Sequence, residues 1–107
     1  MSENTDPTLS NILSQSMDIK NNLESYIIES DLRLKDIDGM ISELDKLISE
    51  ESDVNNKNTL LQYKASILQV KSEIVNEAKD VNTQLKQIKK IVDVVEKSIK
   101  LNTGDIF

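Results

Sequence analysis

Residues 60–99 read LLQYKASILQVKSEIVNEAKDVNTQLKQIKKIVDVVEKSI. Within them Leu60, Tyr63, Ile67, Val70, Ile74, Ala78, Val81, Leu85, Ile88, Val92, Val95 and Ile99 follow one another at steps of three and four, which alternate except for two consecutive fours at Val70, Ile74 and Ala78. No charged residue breaks the series. Steps of three and four return to the same side of a 3.6-residue turn, so the spacing predicts one long α-helix with an apolar stripe. Leu61, Leu68 and Val75 form a second row beside it.

A counterpart lies upstream. Leu9, Ile12, Ser16, Ile19, Leu23, Ile27, Ser30, Leu34, Ile37, Ile41, Leu44 and Ile48 carry the same steps, and adding 51 to each position reproduces the first stripe. Tyr26, Met40 and Leu47 flank this second stripe. The match fits a duplicated helix, and it also fits two unrelated heptad sequences placed in phase.

Punctuation along the chain sets the expected boundaries. Residues 1–6 are expected to be disordered. Asp6 and Pro7 form a helix-start signal, since Asp caps free N–H groups and Pro has none to satisfy at the first helical position. A helix over 7–51 follows, with Ser30-Asp31 and Gly39 as the places where its continuity is at risk. Ser, Asp and Asn crowd residues 52–58, which suits a turn. Thr59 and Gln62 then have the form of a capping box opening a helix over 59–102. Gly104 suits the position just past its end, and 103–107 form a tail that includes the apolar pair Ile106 and Phe107.

Composition supports a seam rather than a wide core. Hydrophobic residues make up 37% of the 107, with one Phe, two Tyr and no Trp, and Gly and Pro together number three. That is the profile of long helices. The net charge of −6 is uneven: residues 8–53 hold eleven acids against Lys20, Arg33, Lys35 and Lys46, whereas 54–107 hold nine Lys against six acids. Exposed pairs of opposite sign are worth little each, so the asymmetry bears on partner and orientation more than on stability.

The fold class expected is all-α: a long antiparallel helical hairpin of coiled-coil type within a four-helix or larger bundle formed by oligomerisation. A three-helix bundle, with the first half folding back, is the second expectation. A two-stranded seam needs two apolar positions per heptad and a bundle helix about three. A lone hairpin would leave the flanking rows wet.

Several chemistries fall away. With no Cys and no His there is no disulfide, no thiolate nucleophile, no Cys/His zinc site and no imidazole acid–base catalysis. Asp36 with Asp38, and Glu50 with Glu51, are too close in sequence to face each other on a helix. Two isolated glycines build no phosphate loop. No enzyme activity, cofactor or metal is therefore expected. Lys86, Lys89, Lys90, Lys97 and Lys100 make the end of the second helix basic, but without Arg and with Asp93 and Glu96 between them, so nucleic-acid binding is not expected either.

No apolar run reaches the roughly 18–20 residues of a membrane span, and no signal peptide is visible in residues 1–6. A soluble intracellular protein, cytoplasmic or nuclear and not inserted in a membrane, is the expectation. The function expected is a helical assembly subunit — scaffold, adaptor or spacer — whose partners are proteins, through self-association or with other helical subunits. Its candidate interface is Ile19, Tyr26, Met40, Leu47, Leu61, Leu68 and Val75. The alternative is a small acidic regulator or inhibitor that uses Asp31, Asp36, Asp38 and Glu43 to occlude a basic surface of an enzyme or nucleic-acid-binding partner.

Overall fold

The computed structural model describes residues 7–103. The expected disorder of 1–6, the caps at Asp6 and Gly104, and the pair Ile106 and Phe107 lie outside them. Two helices account for nearly all of the described chain: α1 (Pro7–Glu50) and α2 (Val54–Thr103). They form an antiparallel helical hairpin, and among the described residues there is no strand.

α1 is unbroken through both suspect places. Ser30 and Asp31 are interior helical residues, and so is Gly39. A Cβ built on Gly39 would meet nothing within 4 Å. That glycine is a surface position, and the helix passes through it on the strength of its neighbours.

The turn is shorter than the expected 52–58. It occupies only residues 51–53, and α2 begins at Val54, five residues earlier than the expected start at Thr59. The cause is Asp53. Its Oδ1 accepts from the backbone N–H of Asn55 at 2.8 Å and of Asn56 at 3.1 Å, which makes it the N-cap. Its carbonyl accepts the first backbone bond of the helix, from Lys57 N–H at 2.9 Å. Thr59, expected to be the cap, instead donates its hydroxyl to the Asn55 carbonyl at 3.1 Å as an interior helical residue. On the α1 side, Glu51 N–H closes weakly on the Ile48 carbonyl at 3.4 Å, and Glu51 Oε1 accepts from Asp53 N–H at 3.0 Å.

The chain packs as two compact units: Ile27–Lys79, which contains the turn, and the described residues of Met1–Tyr26 and Asp80–Phe107. In the unit Ile27–Lys79 two ion pairs mark the register. Lys64 Nζ lies 2.5 Å from Asp45 Oδ1, and Lys71 Nζ lies 2.7 Å from Asp38 Oδ1. Seven residues back along α1 are matched by seven forward along α2, as an antiparallel seam of heptads requires. Ile37 and Ser30 are the buried residues here, Ser30 with 1% of its surface exposed.

In the other unit Leu85, Val92, Val95 and Ser16 are buried. All of them belong to the two stripes, as do Ile37 and Ser30. Small serines at seam positions let two helix backbones approach closely. Ile, Leu and Val then fill the layers around them.

Candidate protein-interaction site

Four hydrophobic residues are buried among those described, against fifteen large ones that stay exposed. A single hairpin therefore hides only the centre of each stripe. Where the remaining apolar surface lies is set by helix geometry, since each residue advances about 100° around the axis.

In Ile27–Lys79 the hairpin has two unlike sides. One carries the ion pairs of Asp38 with Lys71 and Asp45 with Lys64. Beyond the two lysines on that side stand Leu61 and Leu68, each 44% exposed, and the half-buried Val75. Leu47 follows Asp45 by two residues, and Met40 follows Asp38 by two, so both point about 160° away around α1. There they line an open groove of about 290 Å³ with Glu43, Leu44, Tyr63 and Ile67. No ion pair spans this groove among the described residues, and Glu43 is its one charged lining residue.

The seven expected interface residues thus divide. Met40 and Leu47, 48% and 50% exposed, lie on the groove side. Leu61, Leu68 and Val75 lie on the ion-paired side. Ile19, 48% exposed, and the half-buried Tyr26 belong to the other unit. They are two flanks and not one patch.

Tyr63 and Val70 depart from the stripe pattern. Both stand at stripe positions, yet they are 58% and 47% exposed. They sit seven residues apart on the edge of the stripe nearest the groove, where a two-helix seam is too narrow to cover them. Tyr63 is a wall of the groove and not a core residue. Ile12, at 39% exposed, stands at the same edge of the stripe on α1 as Ile19.

A third apolar row lies outside the rows that the sequence pattern singles out. Ile91, Val94 and Leu101 on α2 are 45%, 62% and 62% exposed. Their spacing of three and seven places them on one helix face; Val94 and Leu101 point away from the buried Val92 and Val95, and Ile91 stands at the edge of the stripe, one turn before Val95. That off-stripe spacing is its signal, masked by the stronger stripe running beside it.

The four acids of the alternative do not make one face. Asp31 and Asp38 share a side of α1, being seven apart, and Asp38 is tied to Lys71. Asp36 and Glu43 share the opposite side, with Glu43 in the groove. The two sets diverge because Asp36 and Asp38 are two residues apart on a helix.

No helix of the described residues is long and apolar enough to cross a membrane. Comparison with protein-family models, with curated proteins and with solved structures finds no match to this chain.

Proposed function

We propose that this protein is a non-enzymatic helical assembly subunit, acting as scaffold, adaptor or spacer by packing its hairpin against further helices. The supporting observation is the apolar surface left on both sides of the seam: Met40, Leu47, Tyr63 and Val70 on one side, Leu61 and Leu68 on the other, each at least 44% exposed. Full burial of such a side chain is worth roughly 1.5–3 kcal/mol, so covering the half still exposed is worth about 1 kcal/mol each, and the six together outweigh the exposed ion pairs of Asp38 and Asp45. Ordering a residue costs roughly 1.5 kcal/mol, so a thin two-helix seam gains most of its margin by covering its flanks.

The acidic-regulator alternative has less support, because its four carboxylates point to opposite sides of α1. Sedimentation velocity over a concentration series, paired with capture of partners from the source cells, tests the assembly proposal. Association that is lost when Leu47→Lys and Leu61→Lys are combined is the expected result. A fully helical monomer at every concentration that captures no helical partner overturns it.

A further inference from the structure

Resting on the assembly reading, we infer that the groove of one copy takes the basic end of α2 from a second copy, with Ile91, Val94 and Leu101 as the inserted row. Shape and charge both point to this occupant. The groove is apolar along its floor, with Leu44 and Ile67, and between the ridges of Met40 with Leu47 and Tyr63. It has the form that receives a helix face with anchors at steps of three and seven, and Ile91, Val94 and Leu101 supply such a face. Val94 and Leu101 are each 62% exposed, so the row is available.

The rim of the groove is acidic at heptad spacing: Asp36, Glu43 and Glu50 follow one another at seven residues along α1, all three exposed. At the edge of the inserted row Lys90 and Lys97 are also seven apart and exposed. Neither lysine is ion-paired among the described residues. Two helices packed side by side bring charges of equal spacing into successive pairs, which is how flanking positions choose partner and orientation in helical assemblies. The ion-paired side of Ile27–Lys79 offers no such match, because Lys64 and Lys71 already pair with Asp45 and Asp38 and leave Asp31 as the single acid of that heptad row facing a partner. The complementary surfaces belong to the same chain, so two copies satisfy each other.

Charge exchange tests this directly. Glu43→Lys alone and Lys97→Glu alone each set like charges against each other, and each raises the apparent dissociation constant of self-association by about threefold to tenfold. In an equimolar mixture of the two variants, the lysine introduced into one copy meets the glutamate introduced into the other, and the association returns to the wild-type strength. Val94→Asp abolishes association, whereas Ile28→Asp, at an exposed position outside both the groove and the inserted row, leaves it intact. Far-UV circular dichroism of every variant establishes that the hairpin is retained.

Three results overturn the inference while leaving the assembly proposal standing. One is a monomeric wild type that captures a different helical protein. Another is self-association that the mixture fails to restore. The third is association lost with Ile28→Asp and kept with Val94→Asp.

Discussion

Lys71 Nζ lies 2.7 Å from Asp38 Oδ1 across the hairpin, thirty-three residues apart in the chain and one heptad beyond the pair of Lys64 with Asp45. Their side chains are 37% and 58% exposed, so water screens the attraction. A double-mutant cycle on Asp38→Ala and Lys71→Ala is expected to give a coupling of about 0.2–1 kcal/mol, shrinking at high salt. A coupling several times larger would mean that these pairs stabilise the fold as well as mark its register.

The short turn makes a separate prediction. Asp53 satisfies two free N–H groups of α2 with one carboxylate oxygen. Asp53→Ala is expected to cost about 1 kcal/mol in chemical denaturation. Thr59→Ala, by contrast, removes only a hydroxyl bonded within the helix and is expected to be close to neutral. If Thr59→Ala proved the more damaging of the two, α2 would start at Thr59 after all.

Gly39 predicts a gain. A methyl group there meets nothing within 4 Å, and the backbone is helical. Gly39→Ala is expected to stabilise the hairpin by about 0.5–1 kcal/mol through lower backbone entropy in the unfolded chain and better helix propensity. A rise in the midpoint of thermal unfolding is the measurement, and a fall would place an unseen neighbour or a functional bend at that residue.

How far the sequence can be read follows from what each signal depends on. The stripes depend only on the 3.6-residue period, and the buried residues Ile37, Leu85, Val92 and Val95 are all legible from it. The start of α2 is not, because residues 52–58 hold several competent caps and the choice between Asp53 and Thr59 depends on how tightly the chain turns. Tyr63 and Val70 have stripe spacing and are nonetheless exposed, since periodicity gives a face but not the width that one partner helix covers. Leu61 and Leu68 stand exposed, as their place beside the stripe implies for a lone hairpin. That Met40 and Leu47 stand on the opposite side from them requires the register, which the ion pairs supply.

Ser30 carries the last prediction. It is the most buried polar residue described, 1% exposed, and its Oγ has no hydrogen-bond partner. A buried hydroxyl without a partner costs about 1–3 kcal/mol in desolvation, and serine is a poorer helix former than alanine. Ser30→Ala keeps the small volume of this enclosed position while removing the orphaned oxygen. It is expected to stabilise the hairpin by about 1–2 kcal/mol in urea denaturation, within those two contributions. Ser30→Leu must force the helices apart at the same position, and overpacking of this kind typically costs about 1–3 kcal/mol. The two variants move stability in opposite directions only if the residue is selected by space. Should Ser30→Ala lower stability instead, the hydroxyl must hold a partner such as a bound water, and the seam would contain a polar layer that fixes its register.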